Sequence, residues 1–361
     1  LHFKLFVKQI VAKPIKEIRP KQYRQLKSLI KYGVGVFALV LAHTCFGQTS
    51  IDSLYRQGIC DGSGFCIPKL SGLPKSKGFE IKYKRVLNYK IETEHLTESY
   101  SDFIDRDREL TIKLKIPLLL RDNLKLILGA KYENEVFRFD DLGPNANEFY
   151  KALNNKPLKS VGGTLYALKP FKGNKYLLGR FGMRWSGDFG QELGSEYGRL
   201  SVSAIYGIRA RSDLSWGAGI TYSYTFGRQL IFPVLAYSRK YDNGFDFEGL
   251  LPVYVKVRKQ FSAKNILQFE NRISGDSYNI RFQSLSDEDQ YLAKSDLFTT
   301  LSYEREILSF LWLSAGVSNR YNINFDISEN NTFRTRGNPQ YQNRLADALS
   351  YEFSLFIVPP K

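Results

Sequence analysis

Few side chains in this 361-residue sequence are suited to chemistry, so the ones that are stand out. Of three histidines (His2, His43, His95), only His95 lies beyond the first fifty residues. It sits in "ETEHLTESYSD" beside Glu94, Ser99, Ser101 and Asp102. Those types would supply a nucleophile, a base and an orienting acid for a hydrolase or acyltransferase at a lipid rim. The commoner meaning of such a histidine is an exposed loop residue. A histidine-based metal centre needs more imidazoles than one. The acidic stretches 101–109 and 286–290 offer oxygen ligands without EF-hand spacing, and read as solvated loops. No cofactor or metal is expected. Cys60 and Cys66 bracket the Gly-rich "CDGSGFC", which predicts one small disulfide on an exported chain. A redox or metal pair is the competing reading. The remaining candidates are bases at alternate positions: Lys82, Lys84, Lys113, Lys115, Lys131, Arg180, Arg184, Lys256, Arg258 and Arg320.

What must position them begins with an export signal. "KSLIKYGVGVFALVLAHTCFGQTS" has a basic start, an apolar run from Gly33 to Ala42 and small residues before Gln48. That layout predicts a secretory signal cleaved after Gly47. Acylation of Cys45 as a lipoprotein is the alternative, disfavoured by His43 and Thr44 before it. Residues 1–25 fit poorly even as a long basic leader, and translation starting near Leu26 would explain them. Residues 1–47 carry nine Lys or Arg against the single acid Glu17, a net +8, which is half of the chain's +16. The rest is interspersed with acids along the chain, unlike the basic stripe of a nucleic-acid binder. Nucleic acid is therefore excluded as a partner, and no protein partner is indicated. Residues 48–77 form a polar periplasmic leader.

From Gly78 to residue 358 the hydrophobic period is two. Ile81 and Tyr83 alternate with Lys82 and Lys84; Leu110, Ile112 and Leu114 with Thr111, Lys113 and Lys115. In "SDLSWGAGITYSYTFGRQ" a greasy face (Trp216, Ile220, Tyr222) opposes glycines and hydroxyls (Gly217, Gly219, Thr221, Ser223). Short turns fall at 121–123, 170–174, 209–213, 241–244, 274–276 and 304–307. Longer loops between them span 93–107, 138–159, 186–198, 285–293 and 328–344, with short exceptions near Gly227 and Ser262 on the same side. Tight turns at one end and long loops at the other mark an outer-membrane barrel. The fold class is therefore all-β: a single up-and-down antiparallel transmembrane β-barrel of about fourteen strands, twelve being the alternative, with both termini in the periplasm. Mean hydropathy is −0.31, which a barrel tolerates because only alternate residues face lipid. A large soluble β-sandwich is the rival, disfavoured by strands well beyond the usual ~5–6 residues.

Three stretches, the signal ending "FGQ", "LSWGAGITYSYTFGRQLIFPVLAYS" and the Leu-Leu-Pro hairpin "FDFEGLLPVYVKVRKQFSAKNILQFE", carry a resemblance. They are similar to a domain-of-unknown-function family of outer-membrane β-barrel proteins of Gram-negative bacteria, over roughly residues 78–358. The resemblance implies fold and location in outer-membrane lipid and transfers no functional residue. On inward parity the ten bases line a lumen with fewer acids, chiefly Glu92, Glu133 and Glu270. Rings of bases favour anions, which predicts a passive, anion-preferring small-solute channel. The alternatives are a closed, filled barrel with a structural or receptor role, and the rim enzyme built on His95.

Overall fold

The computed structural model describes residues 77–95, 98–140, 142–143, 147–190, 194–211, 213–281, 290–329 and 339–358. The signal, the leader except for Lys77, and the Cys60–Cys66 pair lie outside the described residues.

Among the described residues, alternating apolar and polar residues give sixteen strands: β1 (Phe79–Val86), β2 (Tyr89–His95), β3 (Glu98–Arg121), β4 (Leu124–Phe139), β5 (Pro157–Pro170), β6 (Lys175–Gly187), β7 (Gly198–Arg211) and β8 (Leu214–Ser223), then β9 (Leu230–Lys240), β10 (Phe245–Leu251), β11 (Tyr254–Ser262), β12 (Asn265–Ile280), β13 (Gln290–Leu308), β14 (Leu311–Ser328), β15 (Gln342–Leu345) and β16 (Ala348–Ile357). One helix, α1 (Glu148–Leu153), lies between β4 and β5. Neighbours in sequence pair antiparallel around the sheet. Closure comes where β1 pairs with both β16 and β3. β2 continues the β1 wall and pairs with β3 and β15. Taking β1 with β2, and β15 with β16, as interrupted wall strands leaves fourteen staves. A closed sheet leaves no edge, as a backbone surrounded by lipid requires.

The pleat sorts side chains as a membrane wall needs. Trp216 and Ile220 point outward, 50% and 56% exposed, while Ser215, Thr221 and Ser223 are buried inside. Leu235, Phe181, Val317 and Phe353 continue the apolar outer face on other strands. The connections at 122–123, 171–174, 212–213, 241–244, 263–264 and 309–310 lie at the end where β1 starts and β16 finishes. The longer connections lie at the other end.

Several boundaries differ from the sequence expectation, and the first two cancel in the strand count. Residues 274–276 are no turn: β12 runs through them to Ile280. Gly275 is small because backbone passes close by; a Cβ there would sit 2.4 Å from the Thr225 carbonyl oxygen and 2.6 Å from that of Lys294. The missing turn is at 252–253, where Pro252 cannot donate to a ladder and Val253 N–H bonds Leu250 O at 2.7 Å. The connection after Ser262 consequently lies at the turn end, not the loop end. β13 also runs on to Leu308, past the turn expected at 304–307. The supposed loop 93–107 is mostly paired strand, with β2 against β3 from Tyr89↔Ile104 to His95↔Glu98.

The strands are unequal, and this shapes the loop end. β3 has 24 residues and β13 has 19, whereas β10 has 7 and β11 has 9. Beyond the short strands, β12 crosses to β6. Asp188 N–H bonds Asn279 O at 3.1 Å, and Arg199 Nε donates to Ser277 O at 2.7 Å. Gly187 permits the approach: a Cβ would lie 2.4 Å from Asn279 O. At this level the tube narrows, with β7 to β11 left outside it.

Candidate functional site

The narrowed end is filled. Six residues make α1 too short to hold itself in water, so packing must hold it. Asn147 Oδ1 accepts from Phe149 N–H at 2.8 Å, capping its start, and Asn154 Oδ1 accepts from Phe139 N–H at 3.1 Å. Phe149, Tyr150 and Leu153 are buried among inward residues of the wall, including Ile91, Ile104, Phe137, Phe325 and Tyr341. Tyr150 stacks on Phe139 with ring centroids 4.9 Å apart, and Phe149 meets Tyr341 at 5.7 Å. The Tyr150 hydroxyl donates to Thr93 Oγ1 at 2.8 Å, and Thr93 donates on to Asn343. The segment expected as a free outer loop thus contributes an apolar plug.

Burial pushes the Tyr150 phenol up to about 12. An ordinary tyrosine loses its proton near pH ~10. The neutral hydroxyl's contribution is therefore complete below pH ~10 and is lost as pH rises from there through about 12. Protease cleavage within 140–156 should stay slow up to pH ~10 and accelerate above it. Acceleration already at pH ~8 would contradict this origin.

Beneath the plug lies a layer of buried charge. Arg320 is fully buried; its guanidinium lies 3.8 Å from the centre of the Tyr89 ring and donates to Ala346 O at 2.7 Å. Asp107 and Asp296 flank it at 3.8 and 3.9 Å. Tyr89 donates to Asp107 at 2.8 Å, Lys294 pairs with Glu135, and Lys84 pairs with Glu109 at 2.6 Å.

Towards the turn end the interior is wet. Lys131 and Arg272 project inward, yet their side chains are 42% and 40% exposed. Lys82 pairs with Glu352 at 3.3 Å and Arg184 with Asp276 at 2.9 Å. Lys131 pairs with Glu133. Glu80 serves both Lys77 (3.0 Å) and Lys113 (3.1 Å), and Glu270 serves Lys256 (3.5 Å) and Arg272 (2.5 Å). Arg258 donates to Gln268 at 2.9 Å. Lys115 and Arg180 have no ion pair among the described residues.

The ten sequence-selected bases all point inward, but they do not stand among few acids. Glu80, Asp107, Glu109, Glu135, Asp276, Asp296, Glu304 and Glu352 share the interior with Glu133 and Glu270. Most share parity with a neighbouring base and were open to the same count. Glu92 is the opposite case: the irregularity at Leu87–Asn88 inverts the alternation, and it lies exposed outside. His95 points inward and stacks on Tyr341 at 4.3 Å. Ser99 and Ser101 lie exposed on the other face of β3, so strand alternation separates them from His95. Residues 101–109, expected as a solvated acidic loop, belong to β3.

A family model described as "Domain of unknown function (DUF6268)" matches residues 147–353. The chain belongs to this family. The segment shared with the family opens on the Asn147 cap of α1 and ends in β16, so it includes the plug and most of the wall. No curated protein matches the chain. Solved structures similar to it include the KdgM porin (6% identity, TM-score 0.30, covering 75% of this chain and 98% of that one). Others are the toluene transporter TodX of Pseudomonas putida (7%, 0.32, 78% and 90%) and the COG4313 outer membrane channel of Pseudomonas putida F1 (8%, 0.38, 80% and 97%). At these identities none of them assigns a solute, partner or activity to this family member.

Proposed function

We propose that this protein is a passive channel of the outer membrane for small solutes, with both termini and the wet end of the lumen in the periplasm and the α1 plug closing the outer mouth. The observation that carries it is the pairing of a water-reached, charged inner half with an outer half closed by a loop helix. A barrel needed only as a scaffold has no use for a lumen lined with solvated charge. The lumen's leftover charge is positive, because Glu270 serves two cations and Lys115 and Arg180 have no ion pair among the described residues, whereas Glu80 and Glu304 together balance Lys77 and Lys113. Unpaired bases in a pore favour anions. The dryness of the plug favours a second reading, a permanently closed barrel with a receptor or structural role.

Reconstitution in a planar bilayer with a salt gradient separates the two. The channel reading expects conductance steps whose reversal potential has the sign of anion preference. Lys115→Glu with Arg180→Glu should move that potential towards zero or past it. A folded, heat-resistant barrel that never conducts, even with the plug removed, would overturn the channel and leave the closed barrel.

A further inference from the structure

On the lipid-facing wall, β8 to β11 enclose a hollow of about 290 Å³. Its floor is Gly249, and Trp216, Tyr237, Phe247, Leu251 and Val255 stand around it. The lining is apolar. Nearer the turn end, by one outward pair for Arg239 and two for Lys259, two cations share the same outward face. Arg239 pairs across the ladder with Phe247 and its guanidinium lies over the Tyr241 ring at 4.6 Å. Lys259 pairs with Phe245, lies 4.2 Å over that ring, and donates to Asn243 O at 2.7 Å. Neither base has an acidic partner among the described residues, and Arg239 Nε is buried without a hydrogen-bond acceptor.

We propose that this face is a binding site for one anionic phospholipid of the turn-end leaflet. An acyl chain fills the hollow over Gly249, and the headgroup phosphate lies between Arg239 and Lys259. Each part has its physical reason. A notch in a lipid-facing wall must be filled by something apolar, and a flexible chain fits a hollow with no polar lining. Two bases held over aromatic rings at the interface present donors to a phosphate without a carboxylate competing for them. Aromatic girdles mark the headgroup level of barrels, which places the two bases at phosphate depth. The site rests on the membrane reading of the barrel above.

The test uses the full chain reconstituted into phosphatidylcholine vesicles, with Trp185→Phe and Trp312→Phe leaving Trp216 as the reporter. Brominated phosphatidylglycerol and brominated phosphatidylcholine are titrated in separate series over the same range of mole fractions. Each base near the surface contributes about a fivefold preference for an anionic lipid, so phosphatidylglycerol should quench Trp216 at several-fold lower mole fraction. Arg239→Gln with Lys259→Gln should bring the two lipids to parity. Gly249→Leu should weaken quenching by both, and it is sterically allowed, since a Cβ would meet nothing nearer than 3.6 Å. Equal quenching in the reporter chain overturns the site, and so does a cross-link through Trp216 to a second copy of the chain. No quenching by either lipid would instead refute membrane insertion itself. Should the tryptophan substitutions impair folding, the same preference is read by mass spectrometry of lipid retained on the unsubstituted chain and lost on Arg239→Gln with Lys259→Gln.

Discussion

Phe149→Ala combined with Leu153→Ala should turn a mostly closed barrel into one that conducts steadily. Both side chains are fully buried in the plug's cluster, and Phe149 meets Phe139 of β4 and Phe325 of β14. Truncating a buried Phe costs roughly 3–5 kcal/mol and a buried Leu roughly 2–5 kcal/mol, because cavities form where packing was dense. A six-residue helix has almost no stability of its own to set against that loss. The barrel has a different source of stability, the closed ladder of fourteen staves, which neither side chain joins. The loss should therefore fall on the plug: α1 leaves the mouth while the wall stays folded. Each ~1.4 kcal/mol is tenfold in an opening equilibrium, so the fraction of time conducting should rise by two orders of magnitude or more. Single-channel recording reads this directly, and heat-modified migration on a gel reports whether the wall survives. A variant that migrates as a folded barrel and conducts no more than the parent would show that the lumen is blocked by something besides α1.

The plug also shows where sequence reading reached its limit. The wall was legible because lipid on one side and charge or hydroxyl on the other leave a strict period of two, as in Trp216–Gly217–Ala218–Gly219–Ile220. Helix α1 had its own local signal, Asn147 as a cap with Phe149, Tyr150 and Leu153 on one face. Six residues between two strands nevertheless look like any polar loop until the cavity they fill is known. Strand boundaries failed where one residue has two uses. Gly275 looked like a turn glycine and serves a close backbone approach; Pro252 looked like a strand residue and breaks one. The ten bases were placed by parity alone. Their partners were not placed, because some lie far away in sequence: Lys82 and Glu352 stand 270 residues apart. Only a closed sheet of known register brings such residues together. The result is an interior of ion pairs with a small basic surplus, where the sequence count suggested a plainly basic one.

Arg320→Ala should be among the most destabilising single substitutions in the chain, by about 3–5 kcal/mol. The guanidinium lies between Asp107 and Asp296, stacks on Tyr89 and donates to Ala346 O, all out of reach of solvent. Its removal leaves Asp107 buried without its cation, Asp296 with only Lys294 3.7 Å away, and Tyr89 without its stacking partner. Unfolding from vesicles in urea should show a lower midpoint at an unchanged slope, since the surface exposed on unfolding hardly changes. The electrostatic share can be isolated by neutralising what the arginine neutralised. Adding Asp107→Asn and Asp296→Asn to Arg320→Ala should recover a large part of the loss, although the two asparagine substitutions in the parent are themselves destabilising because they strip Arg320 of its counter-charges. That crossing of signs is the mark of coupled charges and not of three independent contacts. If the triple variant is no more stable than Arg320→Ala alone, the residue acts through its stack on Tyr89 and its bond to the β15–β16 connection. The layer would then be a packing floor for the plug, and the charges on either side of it would be bystanders.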